Sequence, residues 1–154
     1  MNTLLRASFF AVLIAAVPGE RAPTLSGTTL RGEHFALDSL RGRVVVVDFW
    51  ASWCEPCRRS FPTLEGLSQR LGSRGVTVVG VSVDDEVTNY RQFAHDFRPT
   101  FPIMHDATHA IAERWSPPSM PSTYVINREG VVVAVLTGSD VSQVESRVLA
   151  ALGR

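Results

Sequence analysis

The sequence contains no lysine, and all 15 of its basic residues are arginines. No lysine can therefore act as a general base, a Schiff-base former or a phosphate anchor. The formal net charge is zero, because 15 acidic residues balance the 15 arginines. A nucleic-acid-binding protein normally carries a basic excess, so this balance argues against a nucleic-acid partner.

Cysteine is scarce, with only Cys54 and Cys57 in 154 residues. A chain of this length can bury a core as one domain without disulfide staples, and so short a disulfide loop would constrain the unfolded chain little. A structural zinc site usually needs four ligands, so two would have to join the cysteines. The candidates for these further ligands are His105 and His109, which are spaced i and i+4. The alternatives that remain are a redox pair and a copper(I) site, since soft thiolates select that ion.

Hydrophobic runs are also short, and none reaches the roughly 20 residues of a comfortable membrane span. Residues 7–17 are small or apolar apart from Ser8. Arg6 precedes this stretch, and Pro18 follows it. This order is typical of a secretory signal. We predict a signal peptide or N-terminal anchor over residues 1–19 and one domain over 20–154. The protein would then be periplasmic or otherwise exported, in a compartment where a cysteine pair can be oxidised.

Strand and helix patterns alternate along the rest of the chain, as in the α/β class. We expect a central mixed β-sheet with helices on both faces and an N-terminal β-hairpin extension within residues 18–43. Periodicity predicts strands over 44–50, 76–83, 101–104, 122–126 and 131–136, the last two joined by a turn, and helices over 56–71, 87–97, 107–115 and 141–152. Ser139 or Asp140 is the predicted N-cap of the last helix.

The two cysteines lie where the strand over 44–50 leads into the helix over 56–71. Cys54 is then at the helix N-terminus and Cys57 one turn inside, so both sulfurs share one face. Pro56 suits the first turn, where its missing N–H would have no partner. The free N–H groups and the helix dipole stabilise a thiolate at Cys54, which is the predicted nucleophile. Cys57 is the predicted resolving thiol, which attacks the mixed disulfide.

Residues beside the pair are candidates for tuning it and for docking a substrate. Glu55 lies between the cysteines, where an acid slightly raises thiol pKa values. Trp53 is predicted to form part of the docking surface and Trp50 part of the core. Arg58 and Arg59 follow on the helix, either on a solvated face or in a position to steer a partner.

The stretch VVVVDFWASWCEPCRRSFPTLEGL resembles the active-site strand and helix of the thioredoxin superfamily. Residues 22–154 resemble its exported TlpA/ResA-like branch, with VTVVGVSVDD, FPIMHD and MPSTYVINREGVVV in the same order and spacing. The resemblance implies a thioredoxin fold and thiol–disulfide exchange with no organic cofactor. It also implies a cis Met120–Pro121 bond, with Pro121 facing the cysteines and Met120 offering backbone contacts to the substrate chain.

The resemblance favours a reductase of disulfides in other exported proteins, including apocytochromes c before haem attachment. Electrons would come from a membrane electron carrier. We expect a monomer, either tethered to the membrane or free. Two alternatives on the same fold stay open, a copper(I) carrier and a thiol peroxidase, although the sequence shows no P-x-x-x-T-x-x-C pattern.

The chain departs from this branch at Asp48. Many ResA-like proteins have Asn at that position and an acid three residues beyond the second cysteine, where this chain has Ser60. Asp48 instead matches the buried acid of ordinary thioredoxins, whose neighbouring lysine corresponds to Gly80. We predict that Asp48 has a raised pKa and handles the Cys57 proton. The alternative is an exposed acid at the end of the strand.

Overall fold

The computed structural model describes residues 15–138 and 141–153. Within these residues the elements in chain order are β1 (Ser26–Thr28), β2 (His34–Ala36), β3 (Val44–Trp50), α1 (Glu55–Leu71), β4 (Val76–Ser82), α2 (Val87–Phe97), β5 (Ile103–His105), α3 (Ala110–Trp115), β6 (Ser122–Ile126), β7 (Val132–Thr137) and α4 (Ser142–Leu152). This order confirms the predicted alternation of strands and helices, with the terminal hairpin and helix.

The main sheet has the strand order β5-β4-β3-β6-β7. β3, β4 and β5 run parallel, and β6 is antiparallel to both β3 and β7. Parallel neighbours need a crossover, which α1 supplies between β3 and β4 and α2 between β4 and β5. The predicted mixed sheet is therefore confirmed, and β1 and β2 form the predicted N-terminal hairpin.

The central strand β3 is buried on both faces, and all seven of its residues are buried. Successive side chains point to opposite faces, so the strand contributes to two cores. One core lies under α1, α2 and α4, and the other under α3 and the N-terminal hairpin. Helices therefore cover both faces, as a continuous β-branched run predicts. The cysteine pair belongs to the first of these two cores.

The segment before the hairpin packs on the domain. The Ala16 N–H donates to the Trp115 carbonyl at 3.2 Å, and the Gly19 N–H donates to the Val132 carbonyl at 2.8 Å. Residues 1–14, which hold most of the predicted signal, lie outside the described residues. In the part of the chain that is described, no helix has the length and apolar character to cross a membrane.

Some element boundaries differ from the predictions. α3 begins at Ala110 rather than at residue 107, because the Asp106 carboxylate accepts the N–H groups of Ile111 at 3.2 Å and Ala112 at 2.8 Å. Residues 107–109 form the turn that brings this acid to the helix end. β5 is displaced along the chain to Ile103–His105. The predicted cap of α4 at residues 139–140 lies outside the described residues, and the helix begins at Ser142.

Candidate active site

Cys54 and Cys57 are joined by a disulfide at the start of α1, with 5.3 Å between their Cα atoms. Cys54 is the N-cap residue with extended backbone angles, and its Sγ accepts the Cys57 N–H at 3.3 Å. Pro56 lies in the first turn, as predicted. Cys57 is fully buried, whereas Cys54 retains 4% exposure. A partner molecule therefore meets Cys54 first.

The two tryptophans near the pair have opposite environments. Trp50 is fully buried, with its ring centroid 4.3 Å from that of Phe93 and 5.3 Å from that of Phe61. Trp53 has 69% of its surface exposed directly before Cys54. Trp50 belongs to the core, and Trp53 presents an aromatic surface to solvent beside the disulfide.

Asp48 lies in the middle of β3 with no exposed surface. Thr123 Oγ1 donates a 2.7 Å hydrogen bond to Asp48 Oδ1, while Oδ2 has no partner. Burial raises the pKa of Asp48 to about 7, and the Thr123 hydrogen bond opposes this only in part. The alternative of an exposed acid at the strand end does not describe this residue.

The face of β3 that carries Asp48 is the face covered by α1. Val46 and Trp50, two residues to either side of Asp48, belong to the same core as both cysteines. Gly80 is the residue paired with Asp48 on β4. A Cβ at Gly80 would lie 2.8 Å from Trp50 Nε1, so the indole occupies the space that a side chain there would need. Asp48 and the cysteines thus share one layer of the protein.

The Met120–Pro121 bond is cis, which confirms the expectation from the sequence resemblance. Pro121 precedes β6, and the pairing of Ser122 with Phe49 places it beside the end of β3. The loop to Cys54 leaves the sheet at that same end. Met120 is half-buried and packs against the core that contains the disulfide. The topology therefore brings two separate stretches of the chain together at this edge.

The charged residues of the first turns of α1 differ in their contacts. Glu55 and Arg59 are exposed and form an ion pair at 3.6 Å. The Arg58 guanidinium lies over the rings of Phe93 and Phe97, at 5.4 and 5.2 Å from their centroids. A solvated face is therefore the wrong interpretation of Arg58, although it describes Arg59. Aromatic residues of α2 hold Arg58 by cation–π contact.

A buried polar cluster beside the pair was missed from the sequence. Asp84 follows β4 and is fully buried, and it accepts hydrogen bonds from Ser52 and Ser82. The available signal was an acid directly after a buried strand, at the carboxyl edge where parallel strands end. The hydrogen bonds between Asp84 and Ser52 could not be predicted from local patterns, because the two residues are 32 positions apart.

The two histidines considered as extra metal ligands have other partners. His105 stacks on Tyr90 and its Nε2 lies 2.6 Å from the Asp84 carbonyl oxygen, while His109 pairs with Asp85 at 3.2 Å. Among the described residues, no group of three or more His, Cys, Asp and Glu side chains is arranged to hold a metal ion.

A model of the AhpC/TSA family matches residues 18–135. The chain belongs to the AhpC/TSA family. Within this family it is 32% identical over 133 residues to the thiol-disulfide oxidoreductase ResA of Geobacillus thermodenitrificans, covering 86% of this chain and 76% of that protein. It is 31% identical over 121 residues to ResA of Bacillus subtilis, covering 79% and 68%.

The chain is also similar to solved structures of disulfide interchange proteins and disulfide oxidoreductases. A Chlorobium tepidum protein assigned as a thiol:disulfide interchange protein DsbE superposes with a TM-score of 0.85 at 30% identity, over 90% of this chain and all of that chain. A secreted Mycobacterium tuberculosis disulfide oxidoreductase homologous to E. coli DsbE gives 0.72 at 25% identity, over 82% and 95%. The predicted thioredoxin fold and the predicted ResA-like resemblance are confirmed.

This member of the AhpC/TSA family is a thiol–disulfide oxidoreductase. Its structure contains the oxidised form, with the disulfide closed between Cys54 and Cys57. The helix dipole and the Cys57 N–H, which donates to Cys54 Sγ at 3.3 Å, favour negative charge on that sulfur. The site is therefore built for the exchange of two electrons between this pair and the cysteines of another protein.

Proposed function

We propose that this protein is an exported reductase of disulfides in other exported proteins, including apocytochromes c before haem attachment. The observation that carries the proposal is the juxtaposition of an N-capping Cys54, a buried Cys57 and the buried acid Asp48 in one layer of a ResA-like protein. Two electrons pass to each substrate disulfide. A membrane electron carrier is the proposed donor that restores the dithiol, and the protein acts as a monomer.

The reaction proceeds by two exchanges. The Cys54 thiolate attacks one sulfur of the substrate disulfide, forming a mixed disulfide and releasing one substrate thiolate. Asp48 takes the proton of Cys57, whose thiolate then attacks Cys54 Sγ. This step closes the Cys54–Cys57 disulfide and releases the second substrate sulfur as a thiolate, to which Asp48 returns the proton. The substrate gains two electrons, and the protein loses them.

Asp48 suits the role of proton acceptor because its pKa is about 7. A general base works best when its pKa is near the working pH, since it is then partly ionised and still basic. The face that Asp48 shares with the cysteines supports a proton path to Cys57. The unpartnered Oδ2 is the oxygen available for that transfer.

The substrate chain is proposed to lie in a groove between Trp53 and the cis-proline loop. Trp53 offers an exposed aromatic surface, and Glu55 and Pro56 form the adjoining first turn of α1. Met120 offers backbone contacts, and Pro121, which follows it, lies beside the end of β3. An extended substrate segment bound here would present its disulfide to Cys54.

Export is proposed on the order of residues 1–19, which act as a signal peptide or N-terminal anchor ahead of the domain at 20–154. The secreted relative from Mycobacterium tuberculosis supports an extracytoplasmic location. Expression of the full chain with export, followed by mass determination of the N-terminus, tests this assignment. Retention of Met1 on a protein that fractionates with the cytoplasm would contradict it.

The reduction potential of the wild-type pair tests the direction of electron flow. Equilibration in dithiothreitol or glutathione buffers, followed by thiol trapping, gives the value. We expect about −250 mV or below, near that of thioredoxin, which makes the protein a reductant with a dedicated electron supply. A potential near about −120 mV, the value of a disulfide donor, would overturn the proposed direction.

Client proteins are tested by trapping. Cys57→Ser removes the resolving thiol, so we expect mixed disulfides to accumulate on Cys54. Mass spectrometry of the trapped species in an exporting host should identify exported proteins with cysteine pairs, apocytochromes c among them. The matched variant Cys54→Ser keeps one thiol but lacks the attacking one. Equal trapping by both variants would contradict the assigned roles.

A further inference from the structure

Ser52, two residues before Cys54, is held on all three of its polar groups. Its N–H donates to both carboxylate oxygens of Asp84, at 3.0 and 3.1 Å, and its hydroxyl donates to Oδ1 at 2.6 Å. Its carbonyl accepts from the Arg58 guanidinium at 3.3 Å. The loop that leads to Cys54 is therefore fixed from two sides, by the loop after β4 and by α1.

Asp84 is itself fixed and fully buried. The Ser82 hydroxyl donates to its Oδ2 at 2.7 Å, and the Asp84 N–H donates to Ser82 Oγ at 3.1 Å. The basic side chains nearby lie against backbone oxygens and not against the carboxylate. The Arg58 guanidinium donates to the Ser52 carbonyl, and His105 Nε2 lies 2.6 Å from the Asp84 carbonyl oxygen. In the described part of the chain, no ion pair neutralises Asp84. The carboxylate is thus held by N–H and O–H donors of neutral residues.

We propose that Asp84 is a positioning residue that holds Cys54 through Ser52 and shifts the Cys54–Cys57 pair towards the disulfide. Reduction creates a thiolate at Cys54. The buried Asp84 carboxylate, which is hydrogen-bonded to the same short loop, disfavours this second negative charge. The disulfide carries no charge and does not meet this opposition. The fixed loop also keeps Cys54 in the geometry that closes the disulfide, which lowers the entropy lost on closure.

The equilibrium with glutathione measures this effect. The reaction is protein disulfide plus two glutathione thiols to protein dithiol plus glutathione disulfide, and its constant is obtained by thiol trapping of the full chain. Asp84→Asn preserves size and keeps an oxygen that accepts the Ser52 N–H, but removes the charge. We expect its equilibrium constant to rise about tenfold towards the dithiol, which corresponds to a potential about 30 mV more positive.

The matched control is Asp85→Asn. It removes the same formal charge from the adjacent residue, whose side chain is 85% exposed. Solvent screens an exposed charge, so we expect the constant of this variant to stay within about twofold of wild type. A similar shift in both variants would show a general charge effect and would overturn the role of Asp84.

A purely structural role for Asp84 predicts a different result. Asp84→Asn would then lower the urea midpoint of unfolding and leave the glutathione constant within about twofold of wild type, which would overturn the proposal. If Asp84→Asn does not fold, Ser52→Ala decides, because it loses only the hydroxyl donor to Asp84. We expect about a threefold shift towards the dithiol in this variant, and an unchanged constant would overturn the proposal.

The inference rests on the disulfide exchange of the pair and goes beyond the proposed direction of electron flow. The proposed direction depends on the wild-type potential, whereas the role of Asp84 depends on the ratio between variant and wild type. A wild-type potential in the range of a disulfide donor, combined with a tenfold ratio between variant and wild type, would reject the proposed direction and keep the role of Asp84.

Discussion

Asp48 shows how one residue acquires its chemistry from its surroundings. The pKa of its carboxyl rises from the ordinary value of 3.8 to about 7 because burial removes water from the charged form. One hydrogen bond from Thr123 favours the charged form, but it does not offset the burial. An acid with a pKa near neutrality can accept a proton from a buried thiol and return it.

The first prediction concerns the rate of disulfide exchange. Asp48→Asn removes the proposed proton acceptor and keeps the shape of the side chain, so we expect the Cys57-dependent step at pH 7 to slow by about 100-fold. The measurement is the release of the second substrate thiol after rapid mixing of the dithiol form with a model disulfide. An unchanged rate in Asp48→Asn, with an unchanged pH profile, would show that Asp48 has no part in proton transfer.

The matched variant for this prediction is Thr123→Val, which keeps the carboxyl group. It removes the hydrogen bond that lowers the Asp48 pKa, so this pKa should rise further. The base is lost when it is protonated, so the fall in rate on acidification should begin at a higher pH than in wild type. An unchanged pH profile of the rate would show that Thr123 does not affect the titration of Asp48.

At the scale of elements, the pairing of β3 with β4 requires a glycine opposite Asp48. Gly80 leaves room for the Trp50 indole, and an added Cβ would lie 2.8 Å from Trp50 Nε1 and 3.1 Å from a methyl carbon of Ile103. Both neighbours are fixed in a close-packed core, so neither yields without strain. The small residue at position 80 therefore shapes the layer between the sheet and the helices.

The second prediction follows from this close approach. Gly80→Ala should lower the free energy of unfolding by about 1–3 kcal/mol, because it overpacks the core beside Trp50. The measurement is urea unfolding followed by tryptophan fluorescence. The control is Gly72→Ala, at the end of α1, where the backbone is right-handed helical and no atom lies near the added Cβ. We expect this control to be neutral or slightly stabilising. Equal stability of both variants would contradict the packing argument.

A second element, α3, depends on a side chain outside it. Asp106 is buried, and both of its carboxylate oxygens accept N–H groups from the first turn of the helix. The third prediction is that Asp106→Ala lowers the free energy of unfolding by about 1–2 kcal/mol, as loss of a helix cap does. Asp106→Asn keeps one acceptor oxygen and should recover part of this loss. Urea unfolding of the three proteins measures both effects.

At the scale of the whole molecule, Asp48 links stability to pH. Its carboxyl is protonated in the folded protein over a pH range in which it is ionised in the unfolded chain. The unfolded chain then binds fewer protons, so the free energy of unfolding falls as pH rises. This contribution is complete below pH 3.8, declines as pH rises, and is lost above about pH 7.

The fourth prediction is the size of this decline. A pKa raised from 3.8 to about 7 corresponds to about 4 kcal/mol, lost between pH 4 and pH 8. Asp48→Asn cannot ionise, so its stability relative to wild type should rise by that order over the same range. Urea unfolding of both oxidised proteins at several pH values gives the difference. A constant difference across the range would show that Asp48 keeps an ordinary pKa.

Local patterns along the chain predicted the layout of the molecule and the position of its reactive pair. Periodicity predicted a strand over residues 44–50 and a helix over residues 56–71, and both are confirmed by β3 and α1. These features follow from local periodicity, which the chain carries in full. The position of Cys54 at a helix start also follows from the residues around it.

The distant residues that surround the pair are known only from the folded structure. Three contacts join residues that are far apart in the chain. They are the hydrogen bonds between Ser52 and Asp84, the contact of Arg58 with the rings of α2, and the close approach of Trp50 to Gly80. Such contacts depend on strand register and on side-chain packing, which local patterns do not encode. The degree of burial of Asp48 belongs to the same class, because desolvation is a property of the assembled core.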